Sequence, residues 1–249
     1  MARQIRKSVA LLLLTFVPAA LLVAVGRLWT SLAVLAALHM AVLWGTLAPH
    51  SRLFGPVMRQ LPTSQRDVWL TIDDGPSADT PALLDLLDQH RAKATFFLVG
   101  ERAARRPELV QAIRSRGHEI GNHSDTHPSA WFWALSPRRM AREVGEAQRT
   151  LATISGASPR WFRAVVGHAN PFVAPVLAEH GLSRVSWSAR GYDGVSGDVE
   201  RVVTRFSKGL KSGAIILLHE GAAHGHCTAI IRRVLEELRA RDLRAVLPS

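Results

Sequence analysis

In "VWLTIDDGP" two carboxylates stand side by side at the end of an apolar run: Asp73 and Asp74 follow Ile72 and precede Gly75-Pro76. Adjacent aspartates repel each other, and a strand end leaves that charge little room. A second fragment, "GNHSDTHP", carries His123 and His127, four residues apart. That spacing brings two imidazoles together on one helical turn or tight loop. Two imidazoles and one carboxylate make a ligand set for a divalent metal, with positions left open for water and substrate. The adjacent acids then have a rationale. One binds the metal and loses its repulsion to that charge, while its neighbour stays free as a base. Each fragment alone also admits a plainer reading. Asp-Gly and Gly-Pro both mark turns, and two histidines four apart occur by chance in a chain with eleven.

Residues that act together must be brought together by the elements between them. From Val68 onward, short apolar runs alternate with amphipathic stretches. The runs Val68–Asp73, Ala94–Val99, Glu119–Asn122, Trp161–Ala164, Arg184–Ser188, Ala214–His219 and Arg244–Leu247 read as strands. Between them Pro81–His90, Arg106–Arg116, Pro137–Thr153, Pro171–His180, Val199–Leu210 and Thr228–Arg241 read as helices. In "DTPALLDLLDQH" Asp79 or Thr80 can cap and Pro81 suits the first turn. Seven strand-like runs separated by helices predict an α/β domain with a parallel sheet. Ligands of such sheets sit beyond the carboxyl ends of the strands. Asp73-Asp74 and His219 each close one run, and Asp193 follows another.

The domain has apolar company. "SVALLLLTFVPAALLVAV" (Ser8–Val25) and "LWTSLAVLAALHMAVLWGTLA" (Leu28–Ala48) carry no charge, and Arg3, Arg6 and Lys7 precede the first. As helices they reach roughly 27 and 31 Å, about one bilayer core each. They predict two transmembrane helices, an anchor over residues 1–48 that takes membrane lipid as its partner. A cleaved signal ending near "VPAA" is the alternative, against which the second apolar run argues. Residues 49–66 are Pro-punctuated and read as a linker, and residues 67–249 as the catalytic domain. Basic residues flank both ends of the pair, with Arg52, Arg59 and Arg66 after it. The charge rule therefore favours a bacterial-type cytoplasmic (inner) membrane with the domain on its cytoplasmic face. A single span would reverse that side.

The formal net charge is +11 over 249 residues; residues 1–48 carry +4 of it, which leaves +7 for the rest. This balance suits an anionic neighbour, either a phosphorylated substrate or acidic lipid headgroups. No basic helix with interleaved aromatics appears, which argues against nucleic acid. Cys227 is the only cysteine, excluding an intrachain disulfide and a multi-cysteine zinc site. His168 and the "HGHC" group of His224, His226 and Cys227 read as polar loop residues outside the site. His118 and His180 read as structural.

"TIDDGP", then "HSDTHP", then "FR" with a following glycine, then "LLH", in that order, resemble the polysaccharide deacetylase family, which carries the NodB homology domain and forms carbohydrate esterase family 4. The likeness runs from about Thr71 to His219. It implies a distorted (β/α)7 barrel of NodB type and metal-dependent removal of an acyl group from an N-acylated sugar. By resemblance, Asp74, His123 and His127 match the metal ligands, for zinc first and cobalt or nickel as alternatives. Asp73 matches the catalytic base, Arg163 the arginine paired with it, His219 the general acid and Asp193 the aspartate that orients it. Leu217 matches a leucine at the substrate, and the backbone of Val166 stands where the family stabilises the oxyanion.

Two departures bear on substrate. The family has Pro-Pro-Tyr after the arginine, where this chain has Ala164-Val165-Val166. It has a second aspartate before Asp193 and a tryptophan after, where Arg190 and Gly194 stand. Aromatic groups for a sugar groove are thus fewer. Arg190 suits a phosphate, as on a lipid-phosphate-linked sugar; a solvated loop arginine is the plain alternative. The reading is an N-deacetylase of a cell-envelope aminosugar. A deformylase or deacylase of another amide, and a silent glycan- or lipid-binding protein, are its rivals. A retained base and acid argue against the silent protein, because binding needs neither.

Overall fold

The computed structural model describes Ala20 and residues 23–248. A strand in the middle of a parallel sheet is apolar on both faces. β1 (Asp67–Gly75) is buried at every position from Val68 to Asp73, and β2 (Ala94–Leu98) along its whole length. β1 lies between β2 and β7 (Ile215–His219) and also pairs at its start with β8 (Arg244–Ala245). Beyond β2 follow β3 (Glu119–Asn122), β4 (Trp161–Phe162) and β5 (Ser183–Arg184), while β6 (Ala189–Arg190) edges β7. Every one of these pairings is parallel. The result is a parallel-sheet α/β half-barrel.

The sequence predicts seven strands; the sheet has eight segments. The run expected at Arg184–Ser188 is divided between two edges. Val185 N still donates to Phe162 O on one side, and Ser188 N donates to Ile215 O on the other. In between, Ser186 N donates to Met58 O and Ser186 O accepts from Arg163 Nη2. One extended segment therefore spans from the β4 edge to the β7 edge, and side-chain and Met58 bonds replace the ladder across the gap. Residues 49–66, read as a linker, supply that filling. Phe54, Val57 and Leu61 are buried, and Met58 pairs with Val185 and Gln60 with Ala214.

Helix α1 (Leu28–Leu47) is, among the described residues, the one helix long and apolar enough to cross a membrane by length and composition. The first apolar run, Ser8–Val25, falls almost wholly outside the described residues. The end of α1 touches the domain, where Ala169 N donates to Thr46 O. The remaining helices are α2 (Thr80–Gln89), α3 (Gly100–Arg105), α4 (Pro107–Ser115), α5 (Pro137–Ser155), α6 (Val173–Glu179), α7 (Val199–Ser207) and α8 (Cys227–Ala240). All six predicted helices recur within a few residues. One of them, expected at Arg106–Arg116 and found as α4, gains the short α3 before it. Ser136 caps α5, its hydroxyl accepting from Arg139 N, and Gly156 closes that helix at φ +73°. Asp79 does not cap α2; its carboxylate accepts from Gly221 N instead. Leucines and isoleucines of α2, α4 and α8, with Val202, Val203 and Phe206 of α7, cover the outer face of the sheet. Trp69, Phe97, Trp161, Val185 and Ile215 fill the inner face.

Candidate active site

Strand register sets the first juxtaposition. Asp73 is the parallel partner of His219, so the last pair of β1 and β7 carries a carboxylate beside an imidazole. His123 follows the end of β3 and Arg163 the end of β4, at the same carboxyl edge of the sheet.

Successive side chains of a regular strand point to opposite faces. Asp73 and Asp74 nevertheless reach the same imidazole, at 3.8 Å (Oδ2) and 3.4 Å (Oδ1) from His123 Nε2. The cause is local: the register with β2 shifts between Asp73 and Gly75, and Asp74 takes φ +70°. Aspartate tolerates this left-handed conformation better than bulkier residues do. The second ligand loop is bent the same way, with Ser124 at φ +67° and His127 at φ +54°. Glu143 holds it: this buried carboxylate of α5 accepts from Thr126 N at 2.9 Å and Thr126 Oγ1 at 2.8 Å.

Asp74, His123 and His127 each offer an atom within 4.8 Å of the others. His127 Nε2 lies 2.9 Å from Asp74 Oδ1, yet that buried oxygen accepts no aligned hydrogen bond. His123 Nδ1 lies 2.8 Å from the Arg163 carbonyl oxygen, which can only accept. The ring proton is thereby held on Nδ1, and the Nε2 lone pair faces the carboxylates. Burial raises the Asp74 pKa, but His123 and His127 outweigh it and hold the carboxyl well below its usual range. Burial lowers the His123 pKa, but Asp73 and Asp74 outweigh it and raise it. The pocket field favours a cation. Donor types, convergence and an unpartnered oxygen all fit a divalent metal.

Asp73 is buried, and Arg163 Nη1 donates to its Oδ1 at 2.8 Å and to Thr71 Oγ1 at 2.6 Å. On the other side Asp193 Oδ2 accepts from His219 N at 2.6 Å, while its Oδ1 lies 3.2 Å from His219 Nδ1. Burial alone would lower the His219 pKa. The Asp193 charge, with lesser help from Asp73 and Asp74, raises it to about 9.

Val166 sits at φ +48°, unusual for a β-branched residue, and its N–H has no protein partner among the described residues. Its side chain is exposed, so the strained loop presents backbone rather than a ring. Leu217 is buried two residues before His219. Arg190 is no solvated loop residue: it belongs to β6, and its guanidinium lies against Trp187 and Tyr192. Glu143 escapes motif reading, although a charged residue on the apolar face of α5 is a legible sign. The loop histidines His168 and His224 stay outside the triad, and His224 Nε2 contacts the Asp193 carbonyl. His118 is buried against β2 and bonds Ala94 N, a structural placement.

Residues 60–185 match the family described as polysaccharide deacetylase. The chain is 36% identical over 186 residues to a chitooligosaccharide deacetylase of Bradyrhizobium sp. (strain ANU 289), covering 74% of this chain and 84% of that one. It is 34% identical over 199 residues to a peptidoglycan-N-acetylglucosamine deacetylase of Bacillus cereus, covering 78% and 92%. A family 4 carbohydrate esterase from Streptomyces lividans, solved in complex with acetate, superposes with a TM-score of 0.67 at 34% identity, covering 74% and 93%. Sequence and fold agree: this chain belongs to the polysaccharide deacetylase family, as a hydrolase of carbon–nitrogen bonds other than peptide bonds.

Proposed function

We propose that the chain removes the N-acetyl group from an aminosugar of a cell-envelope glycan or of a lipid-linked sugar. One observation carries the reading: Asp73, paired with Arg163, and His219, paired with Asp193, face each other across β1 and β7 beside the Asp74, His123, His127 cluster. A base, an acid and a cation site meet in one place.

Asp74, His123 and His127 would hold one divalent ion, zinc or alternatively cobalt or nickel, supplying Lewis-acid polarisation of water and amide carbonyl. Asp73 keeps one oxygen on Arg163 and turns the other toward the pocket, where it takes the proton of the attacking water. The Val166 N–H donates to the oxygen that gains charge as the carbonyl carbon becomes tetrahedral. His219 delivers a proton to the sugar nitrogen as the carbon–nitrogen bond breaks. The products are acetate and the free aminosugar. Leu217 and Arg190 bound the substrate side. The test is acetate release from N-acetylated chitooligosaccharides and peptidoglycan fragments. Chelator-treated protein is expected to be inactive and a divalent ion to restore it; no release across that panel with zinc, cobalt or nickel sinks the reading.

The acid carries a pH signature. The His219 pKa stands above its ordinary 6.5, so the donor stays protonated up to about 9 and activity falls as pH rises through that value. Removing the Asp193 charge removes the main influence raising it. In Asp193→Asn the alkaline limb of kcat/KM therefore moves to lower pH. An unmoved limb would take His219 out of the acid role.

Residues 1–48 serve in this reading as a membrane anchor, with residues 67–249 as the catalytic domain on the cytoplasmic face. Support comes from α1, a helix of 20 residues without a Lys, Arg, Asp or Glu, about 30 Å long. Reporter fusions at Ser249 test the side.

A further inference from the structure

Beside the β6 edge lies a recess of about 470 Å³ whose wall includes His50, Trp187, Arg190, Tyr192, Arg205 and Lys208. Its charge is one-sided. Among the described residues no carboxylate lies within 4.0 Å of Arg190, Arg205 or Lys208, whereas Arg201, on the same helix as Arg205, pairs with Asp198. The Arg190 guanidinium is held between rings, 4.3 Å from the Tyr192 centroid and 5.1 Å from that of Trp187. Arg205 approaches the same tyrosine at 5.5 Å. The Arg190 Nε is buried without a hydrogen-bond partner. Burial, with Arg59 and Arg190 nearby, lowers the His50 pKa, so that ring adds polarity here rather than charge. Clustered cations repel one another. An oriented, unpaired guanidinium flanked by two further cations is the arrangement that takes a phosphate.

The recess shares walls with the reaction site. Arg190 pairs with Leu217, two residues before His219. Trp187 packs on Gly167, next to Val166, so closely that a Cβ there would collide with it. Ser186 accepts from Arg163 through its carbonyl oxygen, while its hydroxyl lies 2.8 Å from His50 Nδ1. In a 2-acylamino sugar the anomeric carbon adjoins the carbon that bears the amide. A phosphate ester there and the scissile amide must then occupy neighbouring pockets. Pro49, just beyond α1, also lies against Gly167, so the apolar helix leaves the domain at this same wall. Beyond Leu53, the exposed large hydrophobic residues among those described are Trp131, Trp133, Val166, Tyr192 and Val195. All lie in loops that follow β3, β4 and β6, on the rim of the site.

We propose that this recess holds a phosphate or diphosphate esterified to the anomeric carbon of the aminosugar, making the substrate a glycosyl phosphate. The inference rests on the deacetylase reading for the identity of the sugar; the phosphate itself is not cleaved. Full-length protein stripped of metal is titrated calorimetrically with 2-acetamido-2-deoxyglucose 1-phosphate and with the neutral methyl glycoside. The phosphate binds about tenfold or more tightly at low salt, and the gap narrows as salt rises. Arg190→Gln closes most of that gap, and Lys208→Gln, at an exposed helix end, closes part of it without endangering the fold. Equal affinities in the unmodified protein, or a gap that survives both substitutions, overturn the proposal. If metal-loaded protein releases no acetate at all, the deacetylase reading falls while the titration still decides the recess. Turnover then separates the sources: higher kcat/KM on a lipid-diphosphate sugar in vesicles, or on the soluble sugar phosphate, supports the recess and names where its phosphate comes from. A neutral chitooligosaccharide outperforming both overturns it.

Discussion

Asp74→Ala loses the divalent ion, whereas Asp73→Asn keeps it and stops turning over. The two residues are neighbours of one type, so composition alone cannot separate them; their surroundings do. Asp74 presents an unpartnered Oδ1 to both imidazoles, 2.9 Å from one and 3.4 Å from the other. Asp73 spends one oxygen on Arg163 and stays farther from His123, at 3.8 Å. Losing the Asp74 carboxylate removes one of three donors and the only acid among them. Asn at 73 still accepts from Arg163 but makes a poor base, so kcat falls by about 10²- to 10⁴-fold. Metal content after gel filtration, with kcat on an N-acetylated oligosaccharide, reads both effects. Should Asp73→Asn emerge without metal, Asp73 is a ligand and the division of labour is wrong.

How much of this site could be read without coordinates depends on how local each feature is. Asp73, Asp74, His123 and His127 lie in two short fragments whose residue types already suggest a cation, and strand order brings them to one edge. The Arg163 and Asp193 roles came through family resemblance, because nothing near either residue names a partner in β1 or β7. The split of 183–190 between two sheet edges was not legible. Its bonding is fixed by Met58 and Arg163, which lie far away in the chain. The bend that turns Asp74 to the same side as Asp73 is a backbone event with no side-chain signature beyond Gly75-Pro76. The recess at Arg190 was equally hidden, since Pro49 and His50 reach β6 across more than a hundred residues. Glu143 was the missed opportunity. Met140, Val144, Ala147 and Leu151 mark the buried face of α5, and Glu143 interrupts it.

Arg163→Met should destabilise the domain more than any surface change, and the geometry says why. Its guanidinium is buried, donating to Asp73 Oδ1, Thr71 Oγ1 and Ser186 O, with its carbon 4.3 Å from the Phe97 ring centroid. Methionine fills similar space but donates nothing, and it strands the Asp73 charge in the interior. Breaking a buried pair in this way costs about 3–5 kcal/mol. For a chain of this size that lowers the melting midpoint by roughly 6–20 °C. Adding Asp73→Asn removes the stranded charge, so the double variant should recover part of the loss while remaining inactive. Arg163→Lys supplies a charge without the planar fork that reaches three acceptors, and should fall between. Because the melts are run on chelator-treated protein, metal binding cannot mask the comparison. A single Arg163→Met variant that melts within a degree or two of the parent would mean that Asp73 does not depend on this guanidinium, and that the base is positioned by something else.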